Sequence, residues 1–121
     1  VSKIAAQSEG SWWRTSQNGR ENEVMPSYVI LMKLTGQGAK EIKDAPKRIQ
    51  EGIQGVEAMG GKIKDFYLTM GDYDYVAIGE FPSDEVAATF LLSLGALGNV
   101  KTTTLRAFST DEFAEIVKKI P

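Results

Sequence analysis

Tyr67-Leu68-Thr69-Met70-Gly71-Asp72-Tyr73-Asp74-Tyr75 sets a Gly-Asp pair between two runs rich in aromatic and β-branched residues. Such a pair signals a two-residue hairpin and fixes how the flanking strands align. With Gly71 and Asp72 at the centre of a type II′ turn, Met70 pairs with Tyr73, Thr69 with Asp74 and Leu68 with Tyr75. Continuing outward, Tyr67 meets Val76, Phe66 meets Ala77 and Ile63 meets Glu80. Directly opposed residues point to the same side. One face therefore takes Phe66, Leu68, Tyr75, Ala77 and Gly79; the other takes Asp65, Tyr67, Thr69, Asp74, Val76, Ile78 and Glu80.

Outward from the hairpin the pattern alternates between strand and helix. Residues 62–70 and 73–81 are the hairpin strands. Upstream, Ser27 to Thr35 reads as a strand ended by Thr35-Gly36-Gln37-Gly38. Asp44, with Pro46 behind it, then opens a helix whose Ala45, Ile49, Ile53, Val56 and Met59 recur at helical spacing until Gly60-Gly61. Gly52 and Gly55 weaken that helix by about 1 kcal/mol each relative to alanine and suit close packing on the sheet. Downstream, Pro82-Ser83-Asp84-Glu85 starts a helix with Val86, Ala87, Phe90, Leu91 and Leu94 on one side. Residues 100–108 form the fourth strand. Ser109-Thr110-Asp111-Glu112 is a capping box for a last helix carrying Phe113, Ile116, Val117 and Ile120 on one face. The order βαββαβ with an added C-terminal helix predicts an α+β, ferredoxin-like domain with helices on one side of the sheet.

The remaining strands sort onto the same two faces. Strand one gives Tyr28, Ile30, Met32 and Leu34 to the helices and leaves Val29, Leu31 and Lys33 open; strand four gives Leu105 and Ala107 to the helices and leaves Thr102, Thr104 and Arg106. The open face is then apolar in its middle. A lone subunit exposes that middle to water, and pairing two sheets face to face removes it, which argues for a homodimer.

Composition narrows the chemistry. The chain has 121 residues, 42% of them hydrophobic and 25% charged, with a net charge of −2. One domain with one modest core is expected. Residues 1–24 carry no period of two or 3.6 around their Trp12-Trp13 pair and read as an extension or leader, so the domain spans 25–121. Without a basic stripe, nucleic-acid binding is not expected. The longest apolar stretch is too short for a bilayer, and no secretion signal opens the chain, so it reads as cytoplasmic and not membrane-bound. It contains neither Cys nor His. That removes thiol chemistry, histidine acid/base catalysis, haem ligation through either residue and the ordinary zinc sites, leaving carboxylates, Tyr, Lys, Arg and hydroxyls. Neither a metal nor a cofactor is expected. Gly36-Gln37-Gly38 with Lys40 lacks the spacing of a phosphate loop.

From about Pro26 to Ile120 the chain resembles the GYD domain family. Leu34-Thr35-x-x-Gly38, Gly60-Gly61-Lys62, Tyr67-x-Thr69-x-Gly71-Asp72-Tyr73-Asp74, Glu80-x-Pro82 and Leu97-Gly98-Asn99-Val100 carry the resemblance, together with Thr104 to Phe108. It implies a dimeric α/β barrel in which two ferredoxin-like sheets enclose a central space. Relatives of that broader fold include cofactor-free monooxygenases, isomerases, haem proteins and non-enzymatic binders, so fold alone does not choose among them.

Residues on the open face are the candidates for a ligand site: Lys33, Tyr67, Thr69, Asp74, Glu80, Thr104 and Arg106. Tyr67 can orient a carbonyl or phenol, although a subunit contact serves it equally well. Asp74 and Lys33 read as a cross-sheet ion pair before they read as ligand groups. Glu80 and Arg106 flank strand one and can meet across it; an unpaired Glu80 would instead serve as a base. Asp72 is accounted for by the turn. Three functions follow. A homodimer can hold a small, partly apolar molecule between its sheets. A cofactor-independent monooxygenase or isomerase can use Glu80 or Asp74 as base and Tyr67 or Arg106 as donor. A purely structural dimer would have a filled interior.

Overall fold

The computed structural model describes residues 25–121, and the reading of residues 1–24 lies outside them. Strand β1 (Ser27–Leu34) leads into a short helix α1 (Gly36–Lys40), a 3-10 turn (Ile42–Asp44) and helix α2 (Ala45–Ala58). Then follow β2 (Lys62–Leu68), β3 (Tyr75–Glu80), helix α3 (Asp84–Leu97), β4 (Val100–Ala107) and helix α4 (Thr110–Val117). The four strands make one antiparallel sheet in the order β2-β3-β1-β4. This is the expected ferredoxin-like order, with α1 as an addition. Its signal is Thr35, whose hydroxyl accepts the Gly38 N–H and caps the helix.

Local chemistry explains the other helix ends. Ser83 accepts the Val86 N–H at the start of α3, two acidic residues occupy the first turn, and Gly98 closes the helix at φ 83°. Ser109 and Glu112 form the expected capping box of α4. Asp44 does not cap α2 with its side chain, because the 3-10 turn before it already carries the backbone into the helix.

The hairpin register is the predicted one near the turn: Phe66 opposes Ala77, Tyr67 opposes Val76 and Leu68 opposes Tyr75. The expected two-residue turn does not form: the strands stop at Leu68 and Tyr75, no backbone hydrogen bond joins Met70 to Tyr73, and a wider loop is closed by Thr69 N–H donating to the Asp74 carbonyl at 2.8 Å, with Gly71 at φ 115°, a conformation that favours glycine. Further out the register slips. A bulge between Ile63 and Asp65 pairs Ile63 with Gly79 and Lys62 with Glu80, so Ile63 turns toward the helices.

A larger correction concerns β4. Its pairing sets Val100 beside Leu34, Thr102 beside Met32, Thr104 beside Ile30 and Arg106 beside Tyr28. Thr102, Thr104 and Arg106 therefore lie on the helix face, while Leu105 and Ala107 share the open face with Val29 and Ser27. The expectation had the parity reversed. Both parities of this strand carry β-formers, and buried Val100 decides between them.

On the helix side, Tyr28, Ile30, Met32, Tyr75, Ala77 and Phe81 form the core with Val56 of α2 and Ala87 of α3. Phe81 is fully buried, 5.6 Å from the Tyr28 ring and 5.7 Å from the Phe90 ring. The Tyr28 hydroxyl donates to the Asp84 carboxylate. Burial first, and the acceptor second, push its pKa up to about 12.

Candidate functional site

The open face is built from alternate residues of all four strands. Val29 and Leu31 of β1 lie between Ile78 and Val76 of β3 on one side and Leu105 and Thr103 of β4 on the other. Lys33, Asp65, Tyr67 and Glu80 stand around that apolar centre. Nothing from the helix layer reaches it, and Tyr67 and Leu105 are both exposed. The face is thus a shallow apolar floor with a mixed rim.

The individual candidates separate once their partners are known. Asp74 is a clamp: its Oδ2 accepts the Leu34 N–H at 2.8 Å, and its own N–H donates to the Met32 carbonyl at 2.8 Å. Thr69 donates its hydroxyl to the Tyr73 carbonyl at 2.7 Å. Asp74 holds the hairpin against the end of β1, and Thr69 ties the hairpin loop to itself. The expected Lys33–Asp74 ion pair does not form; Lys33 lies over the Tyr73 ring, 5.7 Å from its centroid. Glu80 pairs with Lys64 at 3.6 Å, and the Lys64 bulge is what brings the ammonium within reach.

Arg106 cannot meet Glu80 across β1, because the two lie on opposite faces. Its guanidinium stacks 4.5 Å from the Phe108 ring and 5.7 Å from the Tyr28 ring, and donates to the Ser27 carbonyl at 3.4 Å. Thr104 is also on the helix face, where its Oγ1 is buried with no hydrogen-bond partner among the described residues. Tyr67 keeps an exposed ring; its hydroxyl is 3.5 Å from Asp65 Oδ1, too long for a firm hydrogen bond. Of the seven candidates, Lys33, Tyr67 and Glu80 remain around the open floor, Asp74 and Thr69 serve the hairpin, and Thr104 and Arg106 are elsewhere.

Sequence reasoning missed a groove on the opposite side of the sheet. It measures about 470 Å³ and runs between α2 and α3, with Ile30, Met32, Tyr75 and Val100 as its floor. Ile49 and Ile53 of α2 and Phe90 and Leu94 of α3 are its walls, and Arg48, Ser93 and Asn99 supply polar edges. Gly52 and Gly55 belong to this wall, and a Cβ at either position would meet nothing within 4 Å. They do not bring the helix onto the sheet, contrary to expectation. Replacing either glycine with alanine is expected to raise stability by about 1 kcal/mol, since helix propensity improves and no clash arises. Urea unfolding would check this; a lower midpoint for both variants would show that the groove walls move.

A polar latch closes the end of the domain near Leu34. Thr35 N–H donates to the Asn99 carbonyl at 3.1 Å, the Thr35 hydroxyl to the Gly98 carbonyl at 2.6 Å, and Gln37 Nε2 to the Leu97 carbonyl at 3.1 Å. A Cβ on Gly38 would sit 2.1 Å from the Asn99 carbonyl oxygen, so only glycine fits. Among the described residues, no group of three or more carboxylates is placed to hold a metal ion, and no helix is long and apolar enough to cross a membrane.

Comparison with known proteins places this geometry in context. The GYD domain model matches residues 28–117. A protein of Thermus thermophilus described as a glutamine synthetase and cystathionine β-lyase binding protein is 36% identical over 84 residues, covering 69% of this chain and 88% of the relative. Among solved structures, the leucine response regulatory protein of Mycobacterium tuberculosis superposes with a TM-score of 0.57 at 17% identity, over 89% of this chain and 66% of that one. The feast or famine regulatory protein of the same organism, complexed with L-methionine, gives 0.57 at 16% identity, over 88% and 67%. This chain spans about two thirds of either regulator, and at such identity the likeness is one of fold.

Proposed function

The chain belongs to the GYD domain family, and from that premise we propose that it is a homodimeric binding protein that docks on metabolic enzymes. The observation that carries this reading is the open sheet face: Val29, Leu31, Val76, Ile78 and Leu105 make an apolar floor that no part of the described chain covers. A second copy laid on it removes the apolar surface from water at about 25 cal/mol per Å². The polar candidates support binding better than bond chemistry. Asp74 is bonded to backbone, Glu80 is paired with Lys64, and Arg106 is on the far side of the sheet. The Thermus relative, named for binding two enzymes, supplies the partner class.

The test is a titration of the purified protein into purified glutamine synthetase and cystathionine β-lyase, followed by calorimetry. Saturable binding of at least one enzyme, with the protein entering as a dimer, is expected. No heat and no complex with either enzyme would remove the partner assignment.

A second reading rests on the rim of the same floor. Two facing copies would place Tyr67 and Lys33 beside the space between the sheets, where they can orient a small, partly apolar molecule. Native mass spectrometry of gently purified protein separates this case, because a stoichiometric small molecule would travel with the dimer. A dimer of bare protein mass would leave only the protein-binding role.

A further inference from the structure

Helix α4 has an apolar face and, among the described residues, nothing to lay it on. Phe113 is 60% exposed, Ile116 42%, Val117 45% and Ile120 67%, and none of the four packs on the core. Yet the helix is built to persist. The capping box fixes its first turn, and Lys118 pairs with Glu115 at 2.9 Å on its solvent side. A surface helix that keeps both a cap and an unburied apolar stripe is made to meet another surface.

We infer that α4 is an interchain arm, whose Phe113, Ile116, Val117 and Ile120 face packs on the second copy of the chain. The inference rests on the homodimer proposed above. Continuity supports it: α4 leaves β4, the edge strand that carries the exposed Leu105 of the open face. Size supports it as well. Four strands about 4.8 Å apart and six to eight residues long offer a footprint of roughly 400 Å². A standard interface buries about 800 Å² of accessible surface on each partner, so a flat sheet face of this small projected extent makes a modest interface and a contributed arm enlarges it. Charge argues against a lipid surface. Asp111, Glu112 and Glu115 lie on this helix, Lys118 and Lys119 just past its end do not balance them, and an anionic membrane would repel it.

The chain has no cysteine, so Ile116→Cys in the full chain supplies a single thiol, and Asp111→Cys on the outer face is its control. The experiment follows maleimide labelling of each at protein concentrations below and above the dimer dissociation constant, which is read by sedimentation on the same samples. Labelling of Ile116→Cys is expected to slow at least tenfold on dimerisation while the control stays constant, and Phe113→Asp is expected to raise the dissociation constant at least tenfold. Fast labelling at every concentration, in a chain that dimerises, would overturn the arm and leave its face free for a different protein. Slow labelling at every concentration would place the helix on its own subunit and overturn the arm equally. A chain that sediments as a monomer throughout fails the dimer reading itself, and the arm with it.

Discussion

Leu31→Glu is expected to convert the proposed dimer to monomers while leaving the subunit folded. Leu31 sits at the middle of the open floor, with Val76 of β3 and Thr103 of β4 as its cross-strand neighbours on that face. In the isolated subunit a glutamate there projects into water and costs little. Between two facing sheets it becomes a charge without a partner, and the two-fold relation sets a second one near it. Losing a central apolar contact costs about 2 kcal/mol or more, and an uncompensated buried charge adds several more. The dissociation constant should therefore rise by at least roughly thirtyfold. Subunit exchange between labelled and unlabelled protein would measure the change, with circular dichroism as the check on folding. An unchanged dissociation constant with native dichroism would mean that this face is not where the copies meet.

Phe81→Ala is expected to cost the fold about 3–5 kcal/mol, the range for deleting a buried phenylalanine. The ring is fully buried and stands edge-on to Tyr28, with an interplanar angle of 70°, and it also touches Phe90 of α3. Gly61 leaves room beside it, since a Cβ there would lie 3.2 Å from this ring and 2.6 Å from the Glu80 carbonyl oxygen. A domain of this size has a total stability of about 5–15 kcal/mol, so the variant should be marginal at room temperature. Chemical unfolding would give the difference. A cost under about 1.5 kcal/mol would mean that α3 collapses into the cavity and that the helix layer is looser than the packing indicates.

The elements were legible because each carries a local signal of its own. Gly71-Asp72 fixed the hairpin, Ser109 and Glu112 fixed the start of α4, and the alternation Tyr28-Ile30-Met32 fixed the buried side of β1. Failures came where a local pattern was silent. The Lys64 bulge slips Ile63 by one place, and the residues themselves carry no mark of it. Strand β4 runs Thr102-Thr103-Thr104 through its middle, so threonine falls on both faces, and reading from Leu105 rather than from Val100 reversed it. That reversal moved Thr104 and Arg106 off the candidate site.

The site was less legible for a different physical reason. The motif residues shared with the family serve mostly to hold the chain together. Gly38 fits under the Asn99 carbonyl, Thr35 latches Gly98, and Asp74 clamps Leu34. Residues constrained in this way report on backbone geometry, so a motif built of them specifies a fold and leaves the ligand open. The floor around Leu31, the groove beside Gly52 and Gly55 and the apolar stripe of α4 are made of ordinary hydrophobic residues. Only the three-dimensional arrangement shows that they are uncovered.

Sedimentation equilibrium of the unmodified protein across a range of micromolar concentrations tests the central claim most directly. A self-associating species of twice the 13.3 kDa chain mass is the predicted result. A mass of 13.3 kDa at every concentration would contradict it, and the open face would then need an occupant other than a second copy.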